Sequence, residues 1–100
     1  MSSRQTWPFN DPPNVAVIAN RKIVSGTDWI AYVSHDLDDG AWQFYTADAE
    51  VAEGDAALVS LENIVRIDAT VSQLADLPLG WHAWREKKDL PWKRAQMAKP

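Results

Sequence analysis

Short apolar segments separated by polar turns occupy the middle of the chain. Residues 15–19 are apolar and rich in β-branched side chains, which is typical of a buried strand, and residues 23–24 are expected to continue as extended chain. Residues 29–35 carry bulky side chains on both alternating faces, so we expect a central strand there. A turn over residues 36–40 contains the Asp-Gly pair that tight hairpins favour, and residues 42–46 then return as a third strand.

Two short helices and a last strand are predicted in the second half of the chain. Ser60 is the expected N-cap of the first helix, and Leu58–Val59 before it are compatible with a short strand. Thr70 is expected to cap a second helix over residues 71–75, which ends where proline and glycine follow. Residues 81–86 have aromatic side chains at 81 and 84 and are interpreted as a strand rather than a helical turn.

These segments predict a single α+β domain. We expect an antiparallel sheet of about four or five strands, with two short helices packed on one face. One hundred residues are enough for one domain of ordinary small size. The predicted division is an irregular N-terminal arm over 1–14, the α+β domain over 15–86 and a flexible basic C-terminal tail over 87–100. Trp7 and Phe9 are expected to pack the arm onto the domain.

The composition fits a globular protein of a reducing compartment. Hydrophobic residues make up 46% and charged residues 24% of the chain, and cysteine is absent. Disulfides and thiolate metal sites are therefore excluded. The first residues do not resemble a signal peptide, and no apolar run approaches the roughly 20 residues that span a bilayer. We expect a cytoplasmic protein with no membrane partner.

Charge is distributed unevenly along the chain, whose net charge is −4. Residues 23–65 contain many acidic side chains and no Lys or Arg, whereas bases predominate from residue 81 onward. A large acidic surface disfavours nucleic acid, because phosphate binding needs clustered positive charge. It would attract a basic protein partner by complementary fields, or it simply keeps a small protein soluble.

No pattern of residues indicates catalysis or metal binding. Residues 34–36 are Ser-His-Asp, but neighbours on a strand point to opposite faces and cannot form a proton relay. A calcium loop starting at Asp36 fails, since its glycine falls one position early and Ala47 replaces the final glutamate. The chain has two histidines without metal-ligand spacing and no glycine-rich phosphate loop. We therefore predict no enzyme activity and no catalytic, cofactor or metal site.

Tryptophan is the distinctive residue type, with six in the chain. Trp29 and Trp42 lie within strand patterns and are expected in the core, as is Phe44. Trp81 and Trp84 precede several bases, and aromatic plus Arg is the composition of interface hot spots, so these two are either core or partner surface. The predicted partner-binding residues are Asp36, Asp38, Asp39, Asp48, Glu50, Trp84 and Arg85.

Five segments together resemble a bacterial domain family of unknown function that is allied to predicted immunity proteins of polymorphic toxin systems. The similar segments, which span most of residues 15–86, are 17–23, 30–34, 39–45, 59–64 and 76–80. The resemblance implies an α+β fold and brings no catalytic residues. This sequence departs from the family after the third strand, where Thr46-Ala47-Asp48 replaces a cluster of glycine and acidic residues.

The leading functional hypothesis is a cytoplasmic binding protein that presents acidic side chains to a basic, toxin-like partner, and the resemblance implies an inhibitor of the immunity type. The alternative is a small enzyme or ligand-binding domain, with a pocket lined by Trp42, Tyr45, Trp81, His82 and Trp84. A third hypothesis is an accessory domain without a partner, whose tryptophans serve only as core. The sequence does not distinguish these three.

Overall fold

The computed structural model describes residues 7–48 and 55–97. Six strands lie in the order β1 Ala16–Asn20, β2 Tyr32–His35, β3 Trp42–Tyr45, β4 Ala56–Ser60, β5 Trp81–Trp84 and β6 Lys93–Gln96. Three short helices connect them, namely α1 Arg21–Val24, α2 Leu61–Ile67 and a 3₁₀ helix Ala69–Leu74. The α+β class is confirmed, with three helices among the described residues where two were predicted.

All six strands form one sheet in the order β4-β1-β3-β2-β5-β6. The prediction of four or five antiparallel strands is wrong in two respects, because the sheet has six strands and β1 pairs with β3 in parallel. The parallel direction of β3 follows from the way in which the strands are connected. The chain reverses once between β1 and β2 and again in the β2–β3 hairpin, so β3 runs in the direction of β1 and pairs along it.

The β2–β3 hairpin is confirmed, although β2 begins at Tyr32 rather than at residue 29 and β3 ends at Tyr45. As expected, β2 lies near the centre of the sheet, between β3 and β5. Its turn is closed by a hydrogen bond from the Asp36 amide to the Ala41 carbonyl, 2.8 Å long. Gly40 adopts φ 72°, the left-handed conformation that glycine reaches without strain. Trp42 and Phe44 are buried as predicted.

One row of side chains crosses four strands and forms the centre of the core. Ala19, Phe44, Val33 and Ala83 are register neighbours from β1 to β5, and each is 0% exposed. The buried side chains of the helices join the same core cluster. They are Ile23, Leu61, Ile64, Val71 and Leu74. The helices therefore cover this face of the sheet, which we call the core face.

The helix starts are set by side-chain caps. Ser60 caps α2 as predicted, accepting a 3.1 Å hydrogen bond from the Asn63 amide. The second helix begins earlier than expected and is a 3₁₀ helix. Its cap is Asp68 rather than Thr70, since the Thr70 amide donates to the Asp68 carboxylate at 3.0 Å.

Two segments differ from the prediction, one in its type of structure and one in its length. The expectation for residues 23–24 is wrong, because Asn20 caps α1 by accepting from the Lys22 amide at 2.8 Å and Ile23 turns into the core. The strand β4 begins at Ala56, two residues before the short strand expected at Leu58–Val59, and pairs with β1 along its whole length. Local propensity gave no sign of α1 and indicated only the middle of β4.

The basic segment after residue 86 extends the sheet. The prediction of a flexible tail is wrong for residues 93–96, which form β6 and pair with β5 from Trp84↔Lys93 to Trp81↔Gln96. Arg94 fixes this strand to the helices, donating to Asp76 and to the Gln73 carbonyl at 2.9 Å each.

The N-terminal arm is held against the core, as predicted. Phe9 is only 6% exposed, and its ring meets Trp42 edge-on with ring centroids 5.4 Å apart. Trp7 packs against the cluster from outside and donates its indole N–H to the Asp11 carbonyl. The Asp11 carboxylate in turn accepts from the Trp42 indole at 2.8 Å.

Candidate functional site

The sheet face opposite the helices carries a cluster of aromatic side chains. Tyr32 pairs in register with Tyr45 on one side and with Trp84 on the other, so all three project from the same face. His82 lies between them. Ring centroids are 6.2 Å apart for Tyr32–Tyr45, 5.4 Å for Tyr32–His82 and 5.2 Å for His82–Trp84. We call these four residues the aromatic face; each of them is partly exposed.

Hydrogen bonds fix three of the four residues of the aromatic face, Tyr32, Tyr45 and His82. Tyr32 and His82 share a 2.8 Å hydrogen bond between the phenol oxygen and Nδ1. The Tyr45 hydroxyl donates to the Gln43 amide oxygen, and the Gln43 amide nitrogen donates to the Asp36 carboxylate. Fixed rotamers lower the entropy that a surface loses when it binds, so these three side chains are pre-organised for contact.

Both tyrosines remain neutral hydrogen-bonding groups. Burial raises the pKa of Tyr32, and the negative charge of Asp36 and the neighbouring Tyr45 raise it further. Burial and the Asp36 charge likewise raise the pKa of Tyr45. The two phenols therefore keep their protons at any physiological pH.

A groove opens beside the two tyrosines, where the β2–β3 hairpin meets the end of β5. Its volume is about 600 Å³, and its wall includes Tyr32, Tyr45, Thr46, Asp48, Arg85 and Glu86. Asp48 and Glu86 are exposed at the rim. Glu86 forms an ion pair of 3.3 Å with Lys93, in which both side chains are more than half exposed. We call this cavity the tyrosine groove.

The predicted acidic residues lie mainly around the hairpin. Asp38 and Asp39 are exposed in its turn, where Asp39 accepts a hydrogen bond from the Ala41 amide. Asp36 is only partly exposed and accepts from Ser34 at 3.1 Å and from Gln43. Glu50 lies outside the described residues.

Two predicted binding residues lie on opposite faces of the sheet, Trp84 at the end of β5 and Arg85 directly after it. Trp84 belongs to the aromatic face, but the Arg85 side chain is 1% exposed on the core face. Its guanidinium donates to the Ile30 carbonyl at 3.0 Å, to the Thr70 hydroxyl at 3.1 Å and to Asp68 at 2.6 Å. In this fold Arg85 is a structural residue and is not accessible to a partner, because strand alternation turns it towards the helices.

The five residues of the alternative pocket do not line one cavity. Tyr45, His82 and Trp84 lie on the aromatic face, whereas Trp42 and Trp81 belong with the core face. His35 is also on that side, stacked on Trp42 at 3.8 Å, with Nδ1 bonded to the Leu77 carbonyl. Ser34 and His35 thus point to opposite faces, which rules out a proton relay between them.

Tyr32 is the member of the site that sequence reasoning did not select. Its position was assigned to a strand, yet nothing local marks it as a surface residue. The available signal was the hairpin itself, because a turn over residues 36–41 fixes the register that brings Tyr32 opposite Tyr45.

Across residues 7–48 and 55–97, no group of three or more His, Asp or Glu side chains could hold a metal ion. In the same described part of the chain, no helix is both long and apolar enough to cross a membrane. The comparisons with known proteins found no match, since no protein-family model, no curated protein and no solved structure matches this chain.

Proposed function

We propose that this protein is a binding module that holds a basic protein partner on its aromatic face. The observation that carries the proposal is the contiguous, partly exposed cluster of Tyr32, Tyr45 and Trp84 on the side of the sheet away from the helices. Tyr and Trp are enriched among interface hot spots, because they bury much area at low entropic cost.

Charge around the face supports a basic partner. Asp38 and Asp39 are exposed at the turn end of the hairpin, and Asp48 and Glu86 are exposed at the other end. Four β-residues of about 3.3 Å each separate the two ends, so carboxylates flank the aromatic face on both sides. The base at this face is Lys93, which lies opposite Trp84 and pairs with Glu86. Such an arrangement steers a positively charged surface into contact and disfavours an acidic one.

The family resemblance suggests a particular form of this function. Under this proposal, the protein acts in the bacterial cytoplasm as an immunity-type inhibitor, and the partner is a toxin that it blocks. Inhibition requires only tight coverage of the partner's surface, which suits a chain for which we predict no catalytic role.

The test is capture and measurement with matched variants. Wild-type protein and three variants, W84A, Y45L and I67A, serve as baits in lysate of the native cell. Ile67 is an exposed apolar residue at the end of α2, so I67A is the control on the helix side. We expect one basic protein to be retained by wild type and I67A and to be lost with W84A.

The captured protein is then purified and its affinity is measured directly. W84A should weaken binding by about 2 kcal/mol, roughly 30-fold, as expected of a hot-spot aromatic. The double variant D38N/D39N should slow association and flatten its dependence on salt while leaving dissociation nearly unchanged. An acidic partner, equal loss with I67A, or no protein whose capture depends on the aromatic face would contradict the proposal.

A further inference from the structure

We infer that the tyrosine groove receives an arginine side chain of the partner, with its guanidinium against Tyr32 and Tyr45. The inference deepens the proposed function and rests on it. It assigns a defined chemical class, a planar organic cation, to one cavity of the aromatic face.

The walls of the groove suit such a cation. The Tyr32 and Tyr45 rings have centroids 6.2 Å apart and planes inclined by 39°, so a group placed beside them contacts both rings. Aromatic rings attract a cation placed within about 6 Å of the centroid. The volume of about 600 Å³ lies within the usual range of ligand sites, roughly 300–1,000 Å³.

The charges around the groove point the same way. Asp48 and Glu86 place two exposed carboxylates at the rim. The cation that also borders the groove, Arg85, does not compensate them, because its guanidinium is buried and bonded to Asp68 at 2.6 Å. Lys93 reaches Glu86 only through an exposed ion pair, which an incoming cation can replace at little cost.

Arginine fits this groove better than lysine. A guanidinium is planar, stacks on aromatic faces and can donate two parallel hydrogen bonds to one carboxylate. An ammonium group is more strongly hydrated and has no flat face to lay against the tyrosines. We therefore expect the preference for arginine to depend on the rings, and the preference for a cation to depend on Asp48 and Glu86.

The experiment uses two small probes that differ only in charge, N-acetyl-arginine methylamide and its neutral isostere N-acetyl-citrulline methylamide. Each is titrated into the labelled full chain and followed by amide NMR. The arginine probe should shift the amides of Ala31, Thr46, Ala47 and Glu86, and the citrulline probe should bind at least threefold more weakly. Y45L and D48N/E86Q should each weaken the arginine probe by about three- to fivefold, the size expected of one exposed cation–π contact or ion pair.

Controls separate loss of the groove from loss of the fold. I67A lies on the helix side of the sheet and should bind the arginine probe like wild type, and Y45L must retain the wild-type amide spectrum away from the groove. D48N/E86Q changes only exposed side chains, so it tests the site even if Y45L fails to fold. Equal binding of the two probes, or shifts mapped to another surface, would overturn the inference.

The two proposals fail in different ways. If a partner is captured through Trp84 but its affinity is unchanged by D48N/E86Q and by removal of each partner arginine, the groove inference is wrong and the binding function stands. If the arginine probe binds as expected and no protein depends on the aromatic face, the groove takes a cation and the protein-binding function is wrong.

Discussion

Arg85 ties the sheet to the helices through contacts that no neutral side chain can replace. Its guanidinium pairs with Asp68 at 2.6 Å, with the two side chains 1% and 13% exposed, and it donates to the Ile30 carbonyl and the Thr70 hydroxyl. The Trp92 ring lies 4.0 Å from the guanidinium carbon. One charge therefore joins β5, the cap of the 3₁₀ helix and the segment before β6.

The R85M variant should lose about 3–5 kcal/mol of unfolding free energy, because removing one partner of a buried ion pair leaves the other charge uncompensated. Methionine keeps much of the volume, so little of this loss is a cavity effect. Asp68 retains two hydrogen bonds from Thr70, which places the expected value near 3 kcal/mol. That is a large share of the roughly 5–15 kcal/mol typical of a small domain.

The assay is equilibrium unfolding in urea at pH 7, followed by tryptophan fluorescence, for wild type, R85M, D68N and R85M/D68N. The losses of unfolding free energy in the two single variants should add up to more than the loss in the double variant. The reason is that the double variant leaves no unpaired charge. If R85M lost less than about 1 kcal/mol of unfolding free energy, with an unchanged urea slope, the reasoning would be refuted. Arg85 would then be a solvent-exposed residue.

Three further predictions test other parts of the fold. S60A should cost about 1 kcal/mol in urea unfolding, because it removes the cap of α2, and F44A should cost about 3–5 kcal/mol, because it empties the centre of the core. Acid should destabilise the protein partly through Asp68. Burial raises the pKa of Asp68, but hydrogen bonds from Thr70 and Arg85 and the charge of Arg85 outweigh burial, so the pKa is lowered. Because this pKa is lower in the folded state, the ionised Asp68 carboxylate stabilises the fold above its unfolded pKa of about 3.9. The stabilisation is lost as the pH falls through the folded pKa. Between pH 7 and pH 3 the free energy of unfolding should therefore fall less for D68N than for wild type. An equal fall in the two proteins would contradict this role of Asp68.

The elements that the sequence predicted well are those whose determinants are local. The hairpin follows from a positive-φ glycine at position 40 and alternation on both sides, and α2 follows from the Ser60 cap. Both depend on residues within a few positions of each other. Such signals are available in a single sequence without knowledge of tertiary contacts.

The elements that were missed depend on distant contacts. The strand β6 has the sequence Lys-Arg-Ala-Gln, which has low strand propensity, and it is fixed by pairing with β5 and by the Arg94–Asp76 ion pair. The parallel pairing of β1 with β3 joins segments that α1 and β2 separate along the chain. Four-residue α1 is too short to show helical periodicity.

The grouping of Trp84 with Arg85 as partner-binding residues did not follow the strand assignment on which it depended. Residues 81–86 were interpreted as a strand, and in a strand positions three apart point to opposite faces. Trp81 and Trp84 therefore had to separate, the first towards the core and the second onto the aromatic face, and Arg85 had to follow Trp81. Grouping Trp84 with Arg85 as surface residues contradicts the period of the strand.

The same alternation links the stability and binding predictions, because both depend on one register between β5 and β2. With Tyr32 opposite Trp84, Trp84 is available to a partner and Arg85 is bound inside. A shift by one residue would exchange their faces. R85M should then be nearly neutral for unfolding and W84A strongly destabilising. In the observed register we expect the opposite order: R85M should lower the free energy of unfolding by about 3 kcal/mol, and W84A should change it much less. Measured together, the two variants therefore test the geometry of the aromatic face before any partner is identified.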